Sequence, residues 1–362
     1  MVQKFLSHLK HKHMKLPDQH NCKIAVLGLG YVGLPLAVEI ATVKKCYRSK
    51  TLLNRSVIGY EINLARLSQL KSGIDITKEI NKNKLSSFKN IQFTNNASLL
   101  KEAEIFIVTV PTPIDKNNNP NFTFIKQATT TVGRAIKERN DLLSKNNDAI
   151  YSSPIVIYES TVYPGATEEI CAKILREESG LEFNNEETGK GFFCGYSPER
   201  INPGDNNHKL TNIVKVTSGS SNEVANWVDD FYGSIIKAGT YKVKSIKVAE
   251  AAKVIENTQR DINISLMNEL AMIFKKLDID TLDVIDAAST KWNFMPFKPG
   301  LVGGHCIGVD PYYLTYKAEQ IGYHSQVVTS GRRINDGISN WIVDNFIKLL
   351  LKSGIVLKNA KI

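Results

Sequence analysis

Residues 23–41 read KIAVLGLGYVGLPLAVEIA, and the fold follows from how this stretch divides. Lys23–Leu27 is a short, mostly aliphatic run, the composition of a strand buried on both faces of a parallel sheet. Gly28-Leu29-Gly30-Tyr31-Val32-Gly33 follows with GxGxxG spacing, and the pattern then turns helical. Each glycine has its own reason. The first permits a tight turn, the second lets backbone approach a pyrophosphate, and the third lets helix and strand pack closely. The helix N-terminus then faces the phosphates. The spacing alone is weak; between a strand and a helix it points to a dinucleotide site.

Outward from this unit the alternation continues. VIGYE at 57–61, EIFIVTV at 104–110 and SPIVIYES at 153–160 read as further strands, with helical patterns at 65–71 and about 124–138. Alternating short aliphatic strands and helices predict a Rossmann-like, doubly wound parallel sheet. Glu61 ends the second strand, where a carboxylate holds ribose hydroxyls and repels a 2′-phosphate, so the cofactor is expected to be NAD. Glu61 lies further from Gly33 than that fingerprint usually has it, and ATVKKCYRSKTLLNRS at about 41–56 reads as an insertion. The alternative is that Glu61 is a solvated strand end.

Residues 181–191 are polar and read as a loop, after which FFCGYSPERI and IVKVTSG resume as strands. From Ser245 to about Leu277 apolar residues recur at helical spacing without Gly or Pro, a long helix suited to a connector and a dimer surface. Trp292–Val309 is a Gly/Pro-rich loop, with helical patterns at 311–322 and 326–352. The expected organisation is a leader at 1–21, a dinucleotide-binding domain at 22–218, and an all-α dimerisation domain at 219–355. Within the last, residues 292–310 form the candidate catalytic loop.

Composition narrows the function classes. The 362 residues are 42% hydrophobic and 23% charged, a globular balance long enough for two domains. A basic balance can mean nucleic acid, a membrane surface or a phosphorylated small substrate; the net charge of +10 is spread along the chain without a nucleic-acid-binding motif, so nucleic acid is not the expected partner. No apolar run is long enough for a membrane span. The five cysteines, Cys22, Cys46, Cys171, Cys194 and Cys306, include no CxxC pair and fit a reducing cytoplasm. His11, His13 and His20 alone make no ligand set, so no metal is expected.

Cys306 stands in GGHCIGVD, beside His305 and four residues before Asp310. Glycines there allow close approach of a ligand, and a cysteine can become nucleophilic if a neighbour lowers its pKa. A lone cysteine is otherwise a core residue; the glycines, Asp310 and the cofactor domain favour the nucleophile. Lys253 and Asn257 share one helix face with Arg260 nearly alongside, and spacing leaves solvated surface and active-site stripe equally open.

These residues carry a resemblance. GLGYVGLPLAVE, IVTVPTPID, YESTVYPGATEE, YSPERINPGD, EAAKVIENTQRDINISLMNEL and KPGLVGGHCIGVDPYYL resemble the UDP-glucose/GDP-mannose dehydrogenase family over about 23–335. His305 and Val309 resemble the UDP-N-acetylhexosamine branch, which serves bacterial polysaccharide synthesis (capsule or O-antigen); the UDP-glucose and GDP-mannose enzymes usually have serine and lysine there. The resemblance implies a four-electron oxidation of the sugar C6 hydroxymethyl to a carboxylate with two NAD. It implies Cys306 as nucleophile on the C6 aldehyde, Lys253 and Asn257 as oxyanion stabilisers, Asp310 and Thr161 as organisers of water, and Glu199 as its base. It assigns Tyr31, Val32, Glu61 and Arg66 to the adenosine half of the cofactor and Thr112 and Thr161 to the nicotinamide half. Arg200, Ile201, Arg260 and the Phe297–Gly300 loop are assigned to the UDP-sugar substrate.

Family members continue into a third, UDP-binding domain, of which 356–362 reads as the start, so UDP-sugar binding by this chain is expected to be weakened. Two competing readings stand beside this one. The first is a two-electron hydroxyacid or 6-phosphogluconate-type dehydrogenase, which needs no cysteine. The second is a cofactor-binding remnant that has lost catalysis and serves as a dimerising partner.

Overall fold

A computed structural model describes residues 15–81, 85, 90–145, 152–185, 191–201, 208–304 and 307–357. By its contacts the chain divides into two compact units, one of residues 1–112 and 121–253, the other of 113–120 and 254–362.

The first unit is built on a sheet whose strands are β1 (Asn21–Leu27), β2 (Asn54–Tyr60), β3 (Ile91–Thr94), β4 (Ile105–Val108), β5 (Ile155–Tyr158), β6 (Glu182–Phe183), β7 (Gly191–Tyr196), β8 (Lys215–Gly219) and β9 (Thr240–Lys242). Their order is β3-β2-β1-β4-β5-β7-β8-β9, with β6 on the side of β7. All neighbours run parallel except β7 and β8. β4 and β5 are buried at every position, as their sequences of aliphatic and aromatic residues require when helices cover both faces.

Helices α1 (Gly33–Thr42), α2 (Leu64–Lys71), α3 (Thr123–Lys145), α4 (Ala172–Ser179) and α5 (Asn222–Gly233) flank this sheet. The connection leaves β1 towards β2 on one side while β4 lies on the other. That reversal is the switch point of a doubly wound sheet, where ligands bind beyond the strand C-termini. The GxGxxG turn occupies it.

The domain division falls after Lys253 and not near 219, because α5 and β9 pack with the first sheet: Thr217 Oγ1 donates to Asp229 (2.7 Å), and β8 pairs with β9. The described part of the leader is tied down, with Trp227 Nε1 donating to the Pro17 carbonyl (2.8 Å) and Ser153 N to that of Lys15 (2.9 Å). The insertion at 41–56 is also held, since Arg48 bonds Asp229 (2.9 Å) and Asp230 (2.8 Å) on α5. Within the stretch read as a loop at 181–191, Glu182–Phe183 forms the short strand β6.

The second unit is helical among its described residues. The long helix α6 (Ile246–Leu277) enters it, followed by α7 (Thr281–Ser289), α8 (Asp310–Gln320) and α9 (Gln326–Lys352). Asp280 caps α7 by accepting from Leu282 N and Asp283 N, and Pro311 in the first turn of α8 suits a position whose amide needs no partner. None of the described helices is long and apolar enough to cross a membrane.

Candidate active site

The glycine turn shows why three glycines recur in it. Gly28 has φ +90°, a backbone region costly for any residue with a Cβ. A Cβ on Gly33 would fall 1.9 Å from the Gly28 carbonyl oxygen and 2.3 Å from Thr109 Oγ1, so glycine is what lets α1 start so close to β1. Gly30 is different: it is exposed, its φ is ordinary, and a Cβ there would meet nothing within 4 Å among the described residues. The backbone at Gly30 is thus open to the approach of a ligand, as the second glycine of this turn is in dinucleotide sites generally. Tyr31 and Val32, half-buried, lead into α1.

Side chains fix this turn from both sides. Thr109 Oγ1 donates to the carbonyls of Leu27 (3.0 Å) and Gly28 (2.7 Å). Glu61 accepts from Leu29 N (2.9 Å) and Asn63 N (2.9 Å). Arg66 donates through Nε to the Leu29 carbonyl (3.0 Å) and pairs with Asp75 at 2.8 Å. The Asp75 carboxyl is held below its usual range: burial alone would raise it, but bonds from Thr77, Ile80 and Arg66 outweigh that. Glu61 and Arg66 thus both grip Leu29, the residue between the first two glycines. Arg66 is buried and supports the turn from behind.

Further along the same sheet edge, Thr112 Oγ1 donates to the Thr161 carbonyl (2.7 Å), joining the two threonines expected near the nicotinamide. Glu199 is buried; its Oε1 accepts from the amides of Arg200 (2.6 Å) and Ile201 (2.5 Å). Arg200 itself reaches the Val214 carbonyl (2.9 Å). Lys253 is 7% exposed on α6, whereas Arg260 on the same helix is open to solvent.

In the second unit Asn257 Nδ2 donates to Asp310 Oδ2 at 2.6 Å, and both are buried. Two of the expected catalytic residues, far apart in sequence, therefore touch. The loop ahead of Asp310 is held by Asn268: its amide donates to the Gly300 carbonyl (3.1 Å) and accepts from Gly300 N (2.8 Å). Asn268 also donates to Asn335 (2.8 Å), which bonds Asp261 (2.8 Å), the partner of Arg332 (2.6 Å). Gly300 and Gly303 are open around their missing Cβ among the described residues, as Gly30 is, and Gly304 has φ +87°. Phe297 is half-buried at the start of that loop.

Cys306, together with His305, lies outside the described residues. The other four cysteines are buried and unpaired. Burial pushes the Cys22 and Cys171 thiols up to about 12 and raises Cys194 well above the usual thiol range, so these three stay protonated and unreactive. Among the described residues no cluster of His, Cys, Asp and Glu could hold a metal ion.

The residues that sequence reading missed are buried polar anchors. Glu250 on α6 accepts from Gly165 N (2.5 Å) and Thr167 N (2.9 Å), fixing the turn that follows Thr161. Burial pushes its carboxyl up to about 7 against the opposing effect of those two amides. No spacing rule marks such a residue, because its partners are 85 and 83 positions away.

A parallel sheet with a glycine turn at its switch point, an acidic residue gripping that turn and a helical unit beyond it define a dinucleotide-dependent oxidoreductase. Residues 22–236 match the UDP-glucose/GDP-mannose dehydrogenase family, NAD binding domain, and residues 247–337 match the central domain of the same family. A UDP-N-acetyl-D-glucosamine 6-dehydrogenase of Pseudomonas aeruginosa is 52% identical over 94% of this chain and 74% of its own length. Another, of Salmonella typhi, is 49% identical over 94% of this chain and 73% of its own. Among solved structures, a UDP-D-ManNAc dehydrogenase from Pyrococcus horikoshii is 29% identical with a TM-score of 0.77, covering 92% of this chain and 72% of its own. The chain belongs to the UDP-glucose/GDP-mannose dehydrogenase family, and is an NAD-binding nucleotide-sugar dehydrogenase.

Proposed function

We propose that this chain oxidises the C6 hydroxymethyl of a UDP-N-acetylhexosamine, in the first place UDP-N-acetylglucosamine, to the uronate, in the cytoplasm and for polysaccharide precursor synthesis. The observation that carries the reading is the set of open glycines. Gly30 in the dinucleotide turn, and Gly300 and Gly303 ahead of Cys306, have no packing reason among the described residues. Ligands brought against the backbone at both places would give them one. The similarity to UDP-N-acetyl-D-glucosamine 6-dehydrogenases supports the choice of sugar.

Each of two NAD, bound in turn, would supply an acceptor for one hydride from C6. Gly28, Gly30 and Gly33 with Tyr31, Val32 and Glu61 would hold its adenosine and pyrophosphate, and Thr112 and Thr161 its nicotinamide half. In the covalent step the Cys306 thiolate adds to the C6 aldehyde, forming a C–S bond while the carbonyl pair moves to oxygen. The Lys253 ammonium and the Asn257 amide stabilise that oxyanion, and removing one such donor typically costs about 100- to 1000-fold in rate. After the second oxidation C6 is a thioester. Glu199 takes a proton from water, the hydroxide adds to C6, and the C–S bond breaks to release the carboxylate and the Cys306 thiolate. Asp310 and Thr161 orient that water, with Asp310 itself held by Asn257. Arg200, Ile201, Arg260, Phe297 and Gly300 would contact the UDP-sugar. α6 exposes Val248, Ile255, Leu266 and Ile273, which suits a homodimer surface.

The test is a substrate comparison. UDP-N-acetylglucosamine, its galacto and manno epimers, and UDP-glucose would each be offered with NAD, and products identified by mass. Uronate from UDP-N-acetylglucosamine, abolished in Cys306→Ala, is expected. Oxidation of UDP-glucose in preference, or undiminished turnover by Cys306→Ala, would refute the reading.

A further inference from the structure

The segment leaving β5, Ser160-Thr161-Val162-Tyr163-Pro164-Gly165-Ala166-Thr167, is fastened at both ends. At its start, Ser160 Oγ donates to the Val110 carbonyl (2.6 Å) and Thr112 Oγ1 to that of Thr161 (2.7 Å), which ties it to the exit of β4. At its end, the two carboxyl oxygens of Glu250 on α6 accept from Gly165 N (2.5 Å) and Thr167 N (2.9 Å). Between these points Val162 and Tyr163 are buried, and the Tyr163 carbonyl accepts from Ala166 N (3.1 Å). Gly165 has φ +98°, and Thr167 opens the single π-helical turn Thr167–Cys171 that precedes α4. Such turns are frequent at functional sites. With both ends bonded and the middle buried, the segment has no slack to absorb a shift of Gly165 before it reaches Thr161.

Glu250 is fully buried, and a carboxyl group taken out of water is costly unless its oxygens are bonded. An apolar side chain would fill the same space without that cost, so the two amides are what the carboxyl is there for. A second contact from α6 to this turn differs in kind: Lys247 donates to Glu169 at 3.0 Å, but both are exposed, and such surface pairs contribute little. Glu250 therefore carries the attachment. Lys253 stands three positions further along α6, on the same side of the helix, where neighbouring side chains are roughly 5–6 Å apart at Cβ. One turn of α6 thus both holds the Thr161 segment and presents Lys253.

We propose that Glu250 is a positioning residue that sets Thr161 against the nicotinamide ring and fixes its register with Lys253. The proposal rests on the reading of Thr161 as part of the nicotinamide site and of Lys253 as the partner of the C6 oxyanion. Glu250 acts through the backbone, since both of its oxygens are engaged by amides. What it controls is the placing of the hydride acceptor relative to C6, and a misplacement of about 1 Å can cost about 100-fold in rate.

Two variants grade the effect: Glu250→Gln retains one of the two acceptors, and Glu250→Ala retains neither. With UDP-N-acetylglucosamine and saturating NAD, kcat should fall about 100-fold in Glu250→Ala and by less in Glu250→Gln, while KM for the sugar stays within about threefold of the parent. Should Glu250→Ala fail to fold, Glu250→Gln carries the test with a fall of about tenfold. A second readout needs no sugar. In saturation-transfer NMR of NAD bound to the full chain, the nicotinamide protons should lose signal relative to the adenine protons in both variants. A general loss of folded protein would lower both halves alike. An unchanged nicotinamide-to-adenine ratio, or a KM that rises as much as kcat falls, would overturn the proposal. A displaced nicotinamide in a chain that oxidises no UDP-sugar would keep the positioning role and discard the function proposed above; an unchanged ratio in an active enzyme would do the reverse.

Discussion

At the scale of single residues, Gly30 and Gly33 separate two reasons for the same amino acid. Alanine at Gly33 puts a Cβ 1.9 Å from a backbone oxygen that cannot yield without moving β1, so Gly33→Ala should lose about 1–3 kcal/mol of stability or more. Alanine at Gly30 has room, so Gly30→Ala should unfold within about 0.5 kcal/mol of the parent. Its NAD affinity should nevertheless drop at least tenfold. Thermal unfolding without cofactor and NAD titration by calorimetry read the two effects apart. Equal stability losses in both variants would contradict the assignment of Gly30 to a ligand.

Glu250 gives a pH prediction at the same scale. Its carboxyl is raised from 4.5 to about 7 in the fold, so it binds its proton more tightly folded than unfolded. The resulting stability is fully present below about pH 4.5 and lost as pH rises through 7. At about 1.4 kcal/mol per pH unit of difference, the loss is on the order of 3 kcal/mol. Glu250→Gln keeps an acceptor for one of the two amides and removes the charge. Denaturant unfolding at pH 5 and pH 8 should show the parent losing more stability over that interval than the variant. Identical pH slopes would show that the carboxyl keeps an ordinary pKa.

At the scale of elements, α6 is both a scaffold and a source of site residues. Its polar face is spent inside the protein: Asn257 on Asp310, Asp261 on Arg332 and Asn335, Asn268 on Gly300. Asn268→Ala removes both bonds to the Gly300 peptide and leaves Asn335 short of a partner, for a cost of about 1–3 kcal/mol. Because the same bonds fix the loop assigned to the UDP-sugar, KM for the substrate should rise more than kcat falls. A variant with unchanged KM would free that loop from α6. Breaking the buried ion pair by Arg332→Met should be more damaging to folding, by about 3–5 kcal/mol, since Asp261 would be left charged and buried.

How much of this was legible in sequence depends on the range over which a signal acts. β1, the glycine turn and α1 were readable together because their evidence is contiguous, and α6 was readable from Ser245 to Leu277 against an observed Ile246–Leu277. β3 (IQFT) and β9 (TYK) were not, being too short and too mixed to alternate visibly. α5 carries Asp229 and Asp230 in mid-helix, where the reason for them is Arg48, 181 and 182 residues away. The glycines and Glu61 were named from sequence, and Asn257 and Asp310 were each named through the family resemblance but not as a pair. The Glu250 anchor and the Asn268 clamp were not named, since their partners lie 85, 83 and 32 residues away and none of these spacings is periodic.

At the scale of the whole molecule, the +10 charge fits a doubly phosphorylated, anionic pair of ligands, without any nucleic-acid motif to claim it. Under the proposed function one cysteine carries C6 through two oxidations on a single chain. The competing hydroxyacid-type reading has no use for Cys306, and stoichiometry distinguishes the two. NADH formed by the purified chain would be counted against UDP-N-acetylglucosamine consumed, with limiting sugar and the reaction run to completion. Two NADH per sugar, with the uronate as the only product, is the predicted result; one NADH per sugar, with the aldehyde or ketone accumulating, would contradict it.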